Sequence, residues 1–198
     1  RDLHSFPTRR SSDLDLDSNF EDARAMLCKA IYEEAGRFVF LRESPQLDEE
    51  DIQQYNELRQ DREMKNDSIK TSLKTLIRLL YKHYGKKVVV LIDEYDVPLT
   101  KAYHENYYSQ MLPLIRSLLS NGLKDNKALK FAVITGCLKI SKESIFTGLN
   151  NVSVYSMLSD FFADSFGFTK KEVKELLEYY KLEEKYAIIK EWYDGYRI

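Results

Sequence analysis

The sequence has few of the residues that mark several classes of protein. Its two cysteines, Cys28 and Cys137, lie far apart, which excludes a disulfide-rich secreted fold and a cysteine-paired metal site. The net charge of −2 provides no global basic field for nucleic acid. No apolar run approaches the roughly 20 residues that a membrane-spanning helix needs. These deficits favour a soluble protein in a reduced, cytoplasmic setting, without a membrane partner.

The chain of 198 residues is long enough for a domain with its own core. It begins at Arg1 rather than Met, with the segment RDLHSFPTRRSSDL. This segment resembles the translated sequencing-adaptor read-through found at the ends of metagenomic gene sequences. The alternative is a disordered polar terminus, with the same consequence for the fold. Residues 1–14 are therefore predicted to be an artefactual or disordered tail, and the true upstream sequence to be lost.

Amphipathic segments alternate with short apolar runs along the rest of the chain. Helices are predicted at residues 18–36, 52–58, 68–85, 103–120, 169–180 and 183–196. Strands are predicted at residues 86–92, 129–135 and, more weakly, 152–157. The alternation is typical of parallel βαβ units and hence of an α/β fold, and the first two strands are predicted to be buried on both faces. The helical tail from residue 166 is predicted to form a lid.

Several local features have simple structural interpretations. Ser18 and Glu21 match a capping box at the start of the first helix. The acidic stretch 43–67 is interpreted as a solvated surface excursion. Asn121–Gly122 is expected to end the helix before it. Trp192 and Tyr193, on the last helix, are interpreted as core residues rather than as a platform for stacking bases.

Three carboxylates follow the most hydrophobic strand, in the segment VVVLIDEYDVPL. Ligands of open parallel sheets bind at the carboxyl ends of the strands. An apolar strand followed by Asp-Glu is the Walker B pattern of P-loop ATPases. In that pattern Asp93 would hold Mg²⁺, usually through water, and Glu94 would orient the attacking water. The structural alternative is that aspartate simply ends the strand.

The second strand ends at Thr135, Gly136 and Cys137. ATPases of the AAA type carry the nucleotide-sensing residue named sensor 1 at the tip of the strand beside Walker B. Thr135 is the candidate for that role, since its hydroxyl could bond the γ-phosphate or its water. Alternatively, Thr135 caps its neighbours. Gly136 provides either a close backbone approach or a turn.

Four segments together resemble the bacterial AAA-ATPase-like family: LCKAIYEEAGRF, SLKTLIRLLYKHYGKKVVVLIDEYDVPL, FAVITGCLKISKESIFTGLNN and EWYDGYRI. The likeness covers residues 15–198 in order. It implies an AAA-type P-loop fold, a three-layer sandwich around a parallel sheet, followed by a helical lid. It also implies ATP and Mg²⁺ as ligands and, in the full-length protein, a C-terminal PD-(D/E)XK nuclease-type domain through which DNA becomes a partner.

The phosphate-binding loop of such a family does not occur in this sequence. None of the seven glycines opens a G-x-x-x-x-G-K-[ST] pattern. We therefore expect residues 15–165 to be an ATPase core without this loop, residues 166–198 to begin the lid, and the polypeptide alone to be inactive. Loss of the strand before the loop would leave sheet edges unpaired, so we also expect instability or aggregation.

Three further residues are weaker candidates. Asp96 could orient Glu94 or cap the turn before Pro98, Lys139 could contact phosphate, and Arg197 could reach the nucleotide from the lid or be a surface charge.

Three functional hypotheses remain from the sequence. The first is a fragment of an AAA-like ATPase, an ATP-driven conformational switch coupled to a nuclease-like domain. The second is a metal-dependent hydrolase that uses Asp93, Glu94 and Asp96 directly. The third is a non-catalytic interaction module with a degenerate nucleotide site.

Overall fold

A computed structural model describes residues 4–5, 19–60, 64–137, 152–156, 159, 161 and 167–193. The chain divides into two compact units, residues 1–150 and 151–198. The first unit contains β1 (His4–Ser5), α1 (Phe20–Gly36), a 3₁₀ helix (Val39–Glu43), α2 (Glu49–Leu58), α3 (Asn66–Tyr84), β2 (Val88–Ile92), α4 (Val97–His104), α5 (Tyr108–Leu123) and β3 (Leu129–Ile134). The second contains α6 (Lys170–Tyr180), a 3₁₀ helix (Glu183–Lys185) and α7 (Tyr186–Tyr193). The mixture of helices and parallel strands agrees with the predicted α/β class.

The sheet of the first unit has the order β1-β2-β3, and both pairings are parallel. His4 is the partner of Val90, and β2 pairs with β3 from Val88 to Ile92, with one irregularity after Val88. Parallel pairing brings the carboxyl ends of β2 and β3 to the same edge of the sheet. The polar residues that follow the two strands therefore lie next to each other.

Helices cover one face of this sheet. Val90 is buried there with Leu73 and Ile77 of α3. On the other face, Phe131 and Val133 are 47% and 45% exposed. The prediction that both strands are buried on both faces is therefore wrong, because the described helices of the first unit pack against one side only. A third layer is absent from the described residues, and the three-layer sandwich remains a prediction.

Helix α3 lies at the centre of the first unit. Its apolar stripe packs against α5, α2, α1 and β2, and Ile69, Leu79 and Leu80 are buried. The helix ends at Gly85, which takes the left-handed conformation (φ 63°) that a residue without Cβ adopts at least cost. This end agrees with the predicted one.

Gly122 lies inside α5 and does not end it, contrary to the prediction. A Cβ at this position would lie 2.5 Å from a methyl carbon of Leu73. The glycine therefore lets α5 approach α3 closely. Packing against the neighbouring helix, rather than helix termination, explains this residue.

We expect Gly122→Ala to lower the free energy of unfolding by about 1–2 kcal/mol, because overpacking exceeds the gain in helix propensity. In a Leu73→Ala background the same change should cost less, since the contacts at 2.5 and 2.6 Å are removed and only the Cβ of residue 73 remains, at 3.0 Å. Chemical denaturation of the four proteins of this double-mutant cycle measures the coupling. Additive effects would contradict the close contact.

The acidic stretch 43–67 contributes to the core, so its interpretation as a solvated excursion is wrong. Helix α2 begins with a capping box between Asp48 and Asp51. Tyr55 and Leu58 are buried, and the Tyr55 hydroxyl donates a hydrogen bond of 2.8 Å to the Ala35 carbonyl oxygen at the end of α1. Helical spacing of the few apolar residues outweighs the charge of the segment.

Asp51 is buried and joins α2 to α3 through two cations. Arg78 donates to Asp51 Oδ1, and Lys82 Nζ lies 2.6 Å from Oδ2. Burial by itself raises the pKa of the Asp51 carboxyl, but the hydrogen bonds from Lys82, Arg78 and the Asp48 backbone bring the net pKa below its ordinary value. The carboxylate is thus ionised in the folded protein.

Asp51→Asn should lower the free energy of unfolding by about 2 kcal/mol, because hydrogen bonds to charged groups are lost at a buried site. Asp67→Asn is the control: Asp67 pairs with Lys70 but is 93% exposed, so its loss should cost less than about 1 kcal/mol. Urea denaturation at neutral pH compares the two variants. Equal effects would contradict the structural role of Asp51.

The depressed pKa of Asp51 also predicts an acid-dependent loss of stability. The unfolded carboxyl, with an ordinary pKa of 3.8, takes up a proton more readily than the folded one. The contribution of Asp51 is thus complete above pH about 5 and is lost as the pH falls through the folded pKa. Denaturation curves between about pH 5 and 2 should fall less steeply for Asp51→Asn than for the wild type.

Two capping predictions have different outcomes. The predicted capping box of α6, between Thr169 and Glu172, is confirmed. At α1, the described N-cap is Asn19, which accepts a hydrogen bond from the Asp22 backbone N–H. Ser18 lies outside the described residues. The side-chain amide of Asn19 therefore caps α1, the role that was predicted for the hydroxyl of Ser18.

The second unit buries little of its apolar surface. Trp192 and Tyr193 are 78% and 80% exposed, so the interpretation of these two residues as core is wrong. Leu177 is the one buried hydrophobic residue among those described in this unit, because α6, α7 and the intervening 3₁₀ helix are too few to enclose more. The helical character predicted from residue 166 agrees with the described part of this segment.

The third predicted strand does not form. Residues 152–156 have no regular secondary structure, and Val152 and Val154 are each 44% exposed. An alternating apolar pattern becomes a strand when a neighbouring strand completes its hydrogen bonds. No described strand pairs with this segment.

Candidate functional site

The site lies where β2 and β3 end. Asp93 follows Ile92, and Thr135 follows Ile134, the register partner of Ile92. The Thr135 hydroxyl donates a hydrogen bond to Asp93 Oδ1. Two of the residues selected from the sequence are thus in direct contact across neighbouring strands.

Thr135 also holds the backbone around Asp93. Its N–H donates to the Ile92 carbonyl oxygen (2.8 Å), and its own carbonyl accepts from the Tyr95 N–H (3.1 Å). Asp93 and Glu94 therefore form a two-residue excursion that is anchored on both sides by Thr135, the residue after β3. Both side chains of the excursion are exposed.

Glu94 has a left-handed backbone with φ 54°. Its N–H donates to Asp93 Oδ1 at 3.0 Å, so this oxygen receives hydrogen bonds from both Glu94 and Thr135. A residue with a Cβ pays roughly 1–2 kcal/mol for such a conformation. The surrounding hydrogen bonds maintain a strained backbone that presents a carboxylate to solvent.

Asp96 begins α4 and, unlike its two neighbours in the motif, is buried. Its carbonyl oxygen accepts from the N–H groups of Leu99 and Thr100. Pro98 lies in the first turn of α4, where its missing N–H costs no helical hydrogen bond. The predicted helix 103–120 corresponds to α5, which begins at Tyr108, whereas α4 was not predicted and starts directly after the candidate site.

Tyr95 is a site residue that the sequence interpretation overlooked. Burial and, to a lesser degree, the negative charge of Asp96 raise the pKa of its hydroxyl, so Tyr95 remains neutral. The available signal was an aromatic residue between two acidic ones, directly after a strand. Lys139 and Arg197, the other two candidates, lie outside the described residues.

The donor set suits a magnesium ion that is shared with phosphate. Both hydrogen bonds to Asp93 fall on Oδ1, and Oδ2 accepts none from the described part of the chain. In such sites Mg²⁺ keeps several waters and binds one or two carboxylates together with phosphate oxygens. A single exposed aspartate can provide the carboxylate.

Within the described ranges, no three His, Cys, Asp or Glu side chains are grouped so that they could hold a metal ion. Asp93, Glu94 and Asp96 therefore do not make a complete metal centre by themselves. This finding gives no support to the hypothesis of a metal-dependent hydrolase built on these three carboxylates.

Comparison with known proteins identifies the family. The profile of the family described as "Predicted AAA-ATPase" matches residues 18–146, which is more than half of the chain. The chain belongs to this family.

Among the described residues, every helix is too short or too polar to span a membrane.

A curated relative is the "Uncharacterized protein in vnfD 5'region" of Azotobacter chroococcum mcd 1. The two sequences are 36% identical over 123 residues, which is 61% of this chain and 23% of the relative. The chain thus matches about a quarter of the length of that protein. No solved structure matches the chain.

The left-handed backbone of Glu94 leads to a prediction about stability. Glu94→Gly should be more stable than Glu94→Ala by about 1 kcal/mol, since glycine adopts positive φ without steric cost. At ordinary backbone positions the order is the reverse. The denaturant midpoints of the two variants measure this difference. A Glu94→Ala variant as stable as Glu94→Gly would contradict the strained conformation.

Proposed function

We propose that this chain supplies the metal-binding and water-orienting side of the ATP site of an AAA-type ATPase. The observation that carries the proposal is the hydrogen bond between Thr135 and Asp93 at the ends of adjacent parallel strands, with Glu94 exposed beside them. Membership of the predicted AAA-ATPase family supports the same conclusion.

Each residue has a separate task in this proposal. Asp93 would hold Mg²⁺ through water, with Oδ1 oriented by Thr135 and Glu94 and Oδ2 directed to the ion's shell. The ion would neutralise charge on the phosphates. Glu94 would orient and polarise the attacking water. Thr135 would sense the γ-phosphate through its hydroxyl.

The phosphates themselves need a binding loop, and this sequence contains no G-x-x-x-x-G-K-[ST] pattern. The proposal therefore assigns the loop to another part of a longer protein, in line with the partial coverage of the curated relative. Lys139 and Arg197 remain proposed phosphate and lid contacts. In the complete protein, ATP hydrolysis would drive a conformational switch that acts on a nuclease-like domain and so on DNA.

The test is made on the complete gene product. Glu94→Gln should retain Mg·ATP binding while its hydrolysis rate falls at least about 100-fold, because water is no longer oriented. Asp93→Asn should weaken binding of ATP in the presence of Mg²⁺ and leave metal-free binding unchanged. Fluorescent-nucleotide titration and phosphate release measure the two effects.

Glu105→Gln is the matched control, since Glu105 is an exposed acid at the far end of α4. It should behave as the wild type. A gene product that does not bind ATP would contradict the proposal and favour an interaction module. Metal-dependent DNA cleavage without ATP, abolished by Asp93→Asn, would favour the hydrolase hypothesis instead.

A further inference from the structure

Asp96 is buried for a reason that its place at the start of α4 does not explain. An aspartate at a helix N-terminus normally accepts a hydrogen bond from a backbone N–H of the first turn. The Asp96 side chain makes no such capping bond, yet it is only 3% exposed. Capping of α4 therefore does not set the place of this side chain.

The Asp96 side chain lies against the residue that follows Thr135. A Cβ placed on Gly136 would lie 2.6 Å from Asp96 Oδ1 and 2.6 Å from Cε1 of Tyr95. The carboxylate and the Tyr95 ring therefore pack directly on the backbone of the residue that follows Thr135. A side chain at position 136 cannot share this space unless the turn moves.

The backbone conformation does not require glycine at this position. The glycines with positive φ among the described residues are Gly85 and Gly167, and Gly136 is not one of them. The requirement at position 136 is therefore steric. Gly136 and Asp96 form one close contact between β3 and the start of α4.

This contact completes the support of the excursion that carries Glu94. Thr135 holds the two sides of the excursion through Ile92 and Tyr95. Asp96 follows Tyr95, accepts hydrogen bonds from α4 at its carbonyl oxygen, and packs on Gly136. Glu94 is strained, so its position depends on both ends being held.

We propose that Asp96 is a positioning residue of the candidate site, and that Gly136 is the residue that makes its position possible. Asp96 sets the place of Glu94 and Asp93 by locking the turn between β2 and α4 against the end of β3. The catalytic consequence rests on the proposed ATPase function, whereas the structural consequence does not.

Hydrogen exchange of the complete gene product tests the structural part. Asp96→Ala, which removes the group that packs on Gly136, and Gly136→Ala should each raise the exchange rate of the Tyr95 amide at least tenfold, because its bond to Thr135 opens when the turn is released. Amides in the middle of α3 should change less than twofold. Glu105→Gln serves as the control and should leave both regions unchanged.

Steady-state hydrolysis tests the catalytic part. Both variants should lower kcat, counted per nucleotide-binding site, at least tenfold while the Kd for Mg·ATP stays within threefold. Titration of the sites with nucleotide gives the folded fraction, so a mere loss of folded protein leaves this kcat unchanged. Because Gly136→Ala is the variant more prone to misfold, Asp96→Ala decides the result if Gly136→Ala is not recovered.

The two proposals fail in different ways. A wild-type protein that does not hydrolyse ATP overturns the proposed function, and the exchange of Tyr95 still decides the role of Asp96. Unchanged exchange at Tyr95 in Asp96→Ala overturns the positioning role, whether or not the wild type is an ATPase. Faster exchange with unchanged kcat in an active enzyme also overturns it.

Discussion

The parallel pairing of β2 with β3 is the interaction on which both the core and the candidate site depend. On one face it creates the apolar surface of Val90 and its neighbours that α3 covers. At its carboxyl edge it continues through Thr135, whose backbone bonds both Ile92 and Tyr95. A single ladder of hydrogen bonds therefore links the interior of the first unit to the exposed carboxylates.

The helical half of the first unit is joined by polar contacts as well as by apolar packing. Asp51 connects α2 to Arg78 and Lys82 of α3, and the Tyr55 hydroxyl reaches the end of α1. Such groups are stable in the interior because each finds a partner of opposite charge or a backbone acceptor. They orient α1 and α2 around the central helix, which in turn supports the sheet.

Much of the fold followed from periodicity. The stripe of α3 and the end of that helix at Gly85 were predicted correctly, as were β2 and β3 as parallel strands. The failures share one cause. Gly122, the strand at 152–157 and the exposure of Trp192 all depend on which element lies next to them, and local patterns carry no information about that neighbour.

For the site, the sequence by itself determined the chemistry: an apolar strand followed by Asp93 and Glu94, and a hydroxyl at Thr135. Only the tertiary structure decided that Thr135 bonds Asp93, that Glu94 is strained and that Asp96 turns inward against Gly136. Residue types and their spacing are local properties of the chain. Contact, strain and burial arise when segments that are distant in the chain meet, as Asp93 and Thr135 do across 42 residues. That meeting is set by the packing of the whole unit.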